Sequence, residues 1–161
     1  MGGGVGLASA AMRRLMALLL FAVLLAAACG DDGGGDNASS DDSAGGGTPA
    51  TAEDLDGKTF ASTGSTGYEL VTDTVVSLTF TDGNLSFSAG CNTMNAGYEV
   101  TDGTLALTSE VAGTLMGCPP DLQAQDEWLS GFVADSPTAT VDGDGLTLAT
   151  ADDTLELATA S

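Results

Sequence analysis

The side chains that could carry chemistry in this chain of 161 residues are three cysteines and a large excess of carboxylates; histidine is absent. Without an imidazole there is no Ser-His-Asp or Cys-His arrangement, and the commonest zinc ligand is missing. The 23 Asp and Glu residues face only 3 Lys and Arg. A pair of carboxylates could serve a glycosidase, but acids are so frequent here that no spacing singles out two of them. Asp31-Asp32 lies in a stretch with no geometry to hold a cation. Asp142-Gly143-Asp144-Gly145 resembles half a calcium loop without the later ligands or the terminal Glu, and reads as a hairpin turn. The expectation is no catalytic residue, no cofactor and no resident metal.

The first cysteine has a different context. Arg13-Arg14 precede an uncharged apolar run, Leu15-Met16-Ala17-Leu18-Leu19-Leu20-Phe21-Ala22-Val23-Leu24-Leu25-Ala26-Ala27-Ala28. The run is shorter than the ~20 residues that span a bilayer, so it reads as the apolar region of a signal peptide. Residues 1–28 are that expected signal, with Met12 as an alternative start. Ala26-Ala27-Ala28-Cys29-Gly30 is similar to a lipobox, in which Cys29 takes a lipid and becomes the new N-terminus, although Ala26 stands where leucine is usual. An ordinary signal cleavage, leaving Cys29 free, is the rival reading. The expected location is the cell membrane or envelope, anchored by lipid on the extracytoplasmic side.

Removing the signal would remove Arg13 and Arg14 and leave Lys58 as the sole cation. Such a surface repels nucleic acid and anionic headgroups, both of which are bound through Lys and Arg. The expected membrane partner is therefore reached through the lipid alone. Residues 29–54, rich in Gly, Ser and Asp, show no apolar periodicity. They read as a disordered acidic tether with a span of about 25–30 Å.

From residue 55 the pattern changes. Val76, Leu78 and Phe80 alternate with polar or outward positions, as do Leu85/Phe87, Leu105/Leu107, Leu146/Leu148 and Leu155/Leu157. Each pair marks a half-buried strand. Thr81-Asp82-Gly83-Asn84, Thr101-Asp102-Gly103-Thr104, Asp142-Gly143-Asp144-Gly145 and Ala151-Asp152-Asp153-Thr154 punctuate them as tight turns. One segment departs: Pro119-Pro120-Asp121 opens a stretch in which Leu122, Gln125, Trp128, Leu129 and Phe132 share a helical face, with Gly131 and Pro137 limiting its end. The fold class expected is mainly β: a compact antiparallel sandwich or open barrel with one α-helix packed on it. Trp128 is expected to plug the sheet.

Gly90-Cys91-Asn92-Thr93-Met94-Asn95-Ala96-Gly97-Tyr98, then Thr114-Leu115-Met116-Gly117-Cys118-Pro119 followed by a helix, resemble the two central motifs of the META domain, also called HslJ-like. The opening Leu55-Asp56-Gly57-Lys58-Thr59-Phe60 is similar to that family's start, with Phe60 where it has Trp. The resemblance covers residues 55–159. It implies a β-rich domain with one helix, found in envelope or secreted proteins and linked to stress response, and brings no reaction with it. In that setting Cys91 and Cys118 are expected to form a disulfide, since exported cysteines persist as pairs. A cysteine nucleophile would lack its base, and a two-cysteine zinc site lacks two ligands. Asn92 and Asn95 read as turn-formers.

The function expected from these features is a non-enzymatic envelope or stress-related binding module, monomeric, with an envelope protein or small ligand as partner. Two alternatives belong to other classes: a hydrolase using only carboxylates, and a small-ligand carrier using the barrel mouth with Trp128 beside it.

Overall fold

The computed structural model describes residues 46–161. The expected signal peptide, Cys29 and residues 29–45 of the expected tether lie outside the described residues. In chain order the elements are β1 (Thr48–Pro49), α1 (Ala52–Leu55), β2 (Thr59–Thr66), β3 (Ser77–Thr81), β4 (Asn84–Ser88), β5 (Thr93–Thr101), β6 (Thr104–Leu107), β7 (Ala112–Gly113), α2 (Pro120–Ala134), β8 (Thr138–Asp142), β9 (Gly145–Ala149) and β10 (Thr154–Thr159).

Every pairing is antiparallel. The order β8-β6-β5-β4-β3-β2-β10-β9 returns to β8 through the β8–β9 hairpin, so the sheet closes into a barrel. The mainly β class with one main helix is therefore what the strand pattern foretold, with the barrel closed rather than open, and closure removes the long edges an open sheet would expose. Two hairpins follow directly from their turns. Asp82 and Gly83 have φ of 48° and 74°, and Asp102 and Gly103 have 50° and 70°. Two successive positive φ values match the right-handed strand twist, and Asp-Gly adopts them at small cost.

The alternation fills the barrel. Leu78, Phe80, Leu85, Phe87, Leu105, Leu146, Leu148, Leu155 and Leu157 all point inward and are buried. Phe80 packs edge-on against Phe60 and Tyr98, with ring centroids 5.9 and 5.0 Å away. Helix α2 covers the barrel with Leu129, Phe132 and Val133. It begins with Pro120 in the first turn, where a missing N–H costs nothing. It runs past Gly131 to Ala134 and stops where Ser136 takes φ of 54°.

The seam is thin. Strands β6 and β8 share only the Thr104–Thr138 pair, reinforced by Leu105 N–H donating to Pro137 O and Ala139 N–H to Gly103 O. Strand β1 occupies the rest of that edge of β8, pairing Thr48 with Val141 and Pro49 with Thr140, and Ala50 N–H donates to Ala139 O at 2.9 Å. Ala50 is buried. The tether, read as disordered as far as residue 54, thus gives way to ordered structure by Thr48. Pairing with a distant strand supplies the hydrogen bonds that its Gly/Ser-rich sequence does not advertise. A capping box, Thr51 with Asp54, then starts α1 and delivers Leu55 into the core. Two hydrogen bonds from Thr51, first from its side chain and then from its backbone, hold the Asp54 carboxyl below its ordinary range. Among the described residues no helix is long and apolar enough to cross a membrane.

Candidate functional site

Three segments meet beside the start of β5: Cys91-Asn92, residues 114–118 following β7, and one face of α2. The structure joins Cys91 to Cys118, with Cα atoms 6.3 Å apart across 27 residues of sequence. Asn92 is the hub of this corner. Its Oδ1 accepts from the Thr114 hydroxyl and from Met116 N–H, both at 2.9 Å. Its Nδ2 and its backbone N–H both donate to Asp126 Oδ2 at 2.9 Å. The same Nδ2 lies 3.7 and 3.9 Å from the sulfurs of Cys91 and Cys118. Thr114 N–H completes the frame by donating to Thr93 O at 3.1 Å.

Asn92 and Asn95 are therefore not turn-formers. Both have ordinary negative φ. Asn95 lies inside β5, opposite Ser86 and Ala112. The polar composition that suggested a turn belongs to the exposed face of a strand whose inward residues are Met94, Ala96 and Tyr98.

Asp126 went unread in the sequence. Only 7% of its surface is exposed, and its Oδ1 is covered with no hydrogen-bond partner among the described residues. A buried carboxylate oxygen left without a donor costs about 1–3 kcal/mol or more. The available signal was positional: Gln125 and Asp126 share the face that carries Leu122, Leu129, Phe132 and Val133, and polar groups on a buried face need partners. Gln125 has found its own. Fully buried, it accepts from Val71 N–H and donates to the Thr74 hydroxyl and Ala89 O, tying α2 to the loop before β3 and the segment after β4.

The braced loop presents apolar side chains to solvent. Leu115 is 101% exposed and Met116 61%. Between this loop and α2 runs an open trough of about 630 Å³, lined by Met94, Leu115, Met116, Gln123, Asp126 and Glu127 among others. No cation lines it. A smaller depression of about 410 Å³ lies at the β3–β4 turn, by Glu53, Asp56, Asp82 and Tyr98. Burial, and then the negative charge of Asp56, push the Tyr98 hydroxyl above its ordinary range, so it stays protonated.

Trp128 is half-buried on the barrel's shoulder. It stacks on Tyr68 at 4.2 Å and 12°, leans on Phe132, and donates Nε1–H to Asp153 at 3.1 Å. Its ring serves packing. The Asp142–Gly145 segment is the β8–β9 turn, in which Asp144 O accepts from Thr159. Among the described residues no three acidic or cysteine side chains converge as metal ligands do.

The comparisons agree with this architecture. An NMR structure of a protein from Burkholderia xenovorans aligns with a TM-score of 0.59 at 20% identity, covering 71% of this chain and 90% of that one. A second NMR structure aligns with a TM-score of 0.58 at 26% identity, covering 68% of this chain and 94% of its own. No curated protein matches the chain. The META domain family model matches residues 53–161, a span that holds the barrel, the Gly90-Cys91-Asn92 motif and the Thr114-to-Cys118 loop it fastens; the chain belongs to the META domain family.

Proposed function

We propose that this META-domain protein is an exported, lipid-anchored and non-enzymatic binding module of the cell envelope, held by Cys29 and engaging its partner through the Thr114-to-Cys118 loop. One observation carries the binding reading: Leu115 and Met116 are exposed on a loop that a disulfide and the Asn92 hydrogen bonds hold in place. A large apolar side chain in water gains nothing for the fold, and a braced one is ready for a partner without an ordering cost. The export reading draws support from Arg13-Arg14, the apolar run and Ala28-Cys29. A disulfide is at home in an oxidising compartment. The non-enzymatic reading follows from the missing histidine and from Asp126, whose one bonded oxygen serves Asn92.

Detergent phase separation tests the anchor. The wild-type protein is expected in the detergent phase and the Cys29→Ser protein in the aqueous phase. Equal partitioning of the two would remove the anchored reading.

A further inference from the structure

We propose that the trough between the Thr114-to-Cys118 loop and α2 takes a cationic peptide segment with apolar neighbours, a basic side chain meeting Asp126 and Glu127 while apolar ones cover Leu115 and Met116. The inference rests on the binding-module reading above and names its partner.

Four observations converge. Gln123, Asp126, Glu127 and Ser130 recur at i, i+3, i+4 and i+7, so one face of α2 walls the trough. Asp126, more than nine-tenths buried, lines it, and its covered Oδ1 has no hydrogen-bond partner among the described residues. Glu127 is exposed beside it. The opposite rim is Leu115 and Met116. A ligand that satisfies all of this brings N–H donors with positive charge to the carboxylates and apolar surface to the rim. A guanidinium or ammonium on a peptide does both, because its charge-assisted bonds to carboxylates are strong and its neighbours can be leucine-like. The exposed Gln123 carboxamide offers a donor and an acceptor to a peptide bond. Charge decides against the other occupants. Lys58 is the sole cation of the described residues, so a second copy of this acidic chain, a nucleic acid or an anionic lipid surface would be repelled.

The test uses the full chain in detergent micelles and a dye-labelled peptide alternating arginine with leucine, followed by anisotropy at physiological salt. Saturable binding is expected. Asp126→Asn keeps an oxygen for both Asn92 donors and places an amide where Oδ1 was. It is expected to weaken binding about tenfold or more. Leu115→Ser, at a fully exposed position that the fold does not need, is expected to weaken it about tenfold. It carries the test should Asp126→Asn fail to fold. Asp142→Asn combined with Asp144→Asn, on the remote β8–β9 turn, is expected to change binding by less than about twofold.

The proposal is overturned if the remote pair costs as much as Asp126→Asn, since attraction would then be diffuse. Equal binding of a glutamate-leucine peptide, of an arginine-serine peptide or of spermine would overturn it too. So would self-association in sedimentation that Leu115→Ser abolishes, which would assign the rim to a second copy. Failure here with normal detergent partitioning and loss on Cys29→Ser would leave the anchored reading standing.

Discussion

The two ends of β5 are built on different principles. Its C-terminal end runs into the Asp102-Gly103 hairpin, where β5 and β6 pair residue by residue and bury Tyr98 and Leu105. Its N-terminal end runs back to Asn92 and Cys91, where Thr114, Met116, Cys118 and Asp126 converge from 22 to 34 residues away. The first is held by burial, which is non-directional and tolerant of exchange among similar hydrophobes. The second is held by directed bonds around one carboxamide. The Asn92 carboxamide joins Thr114, Met116 and Asp126 at once, so its loss is not made good by a neighbour. Burial suits a scaffold. Directed bonds suit a loop that must keep Leu115 and Met116 in water.

Four measurements would break or sharpen this contrast. Phe80→Ala opens a cavity among Phe60, Tyr98 and the leucines. It is expected to cost about 3–5 kcal/mol in denaturant unfolding. A value below about 1 kcal/mol would mean that the barrel is not the main store of stability. Replacing both Cys91 and Cys118 by Ser releases a 27-residue constraint. The expected loss is about 3–4 kcal/mol in the loop-entropy account. Hydrogen exchange should accelerate first at Met116 N–H and Asn92 N–H, before the hairpins. Uniform acceleration would say that the two ends are one cooperative unit.

Asn92→Ala removes the side-chain donor to Asp126 Oδ2, leaving the backbone N–H in place, and removes the acceptor shared by the Thr114 hydroxyl and Met116 N–H. A loss of about 2–3 kcal/mol is expected, because the buried carboxylate loses one of its two donors and two loop donors lose their acceptor. Asn92→Asp should be worse than Asn92→Ala, through repulsion by Asp126. The reverse order would remove Asn92 from the hub. The smallest effect is expected far from both ends, at Thr51→Ala, which deletes the cap of α1. The hydrogen bonds from Thr51 make the folded Asp54 carboxyl titrate below the ordinary carboxylate value. Its contribution is therefore present above that value and fades as pH falls through the lower folded value. The melting difference between wild type and Thr51→Ala should be full at neutral pH and narrow in acid, leaving only the part due to the Asp54 N–H bond to the Thr51 hydroxyl. A gap that widens in acid would reverse the assignment.

The legibility of the chain follows the same division. Leu85/Phe87 and Leu155/Leu157 could be read because a half-buried strand has period two. Asp82-Gly83 and Asp102-Gly103 could be read because few residues accept positive φ. Strand β2 could not: Thr59–Thr66 holds one large hydrophobe, Phe60, and its pairing with β10 carries an irregularity at Glu156/Leu157. A strand of that composition is recognised by its neighbours, not by itself. At the site, Cys91 and Cys118 stood out by residue type, while Asp126 was one acid among 23.

Local chemistry written into the sequence was enough to define the hairpins, the start of α2, the inward leucines and the membership of Cys91 and Cys118 in two recurring motifs. Those features depend on residues within a few positions of one another. The closing of the barrel at β8, the seating of Thr48–Pro49 on its seam and the grip of Asn92 on Asp126 were decided only in three dimensions. They join groups from 34 to 93 residues apart. A hydrogen bond's value depends on whether its partners are desolvated together, and no linear pattern records which distant groups will share that fate.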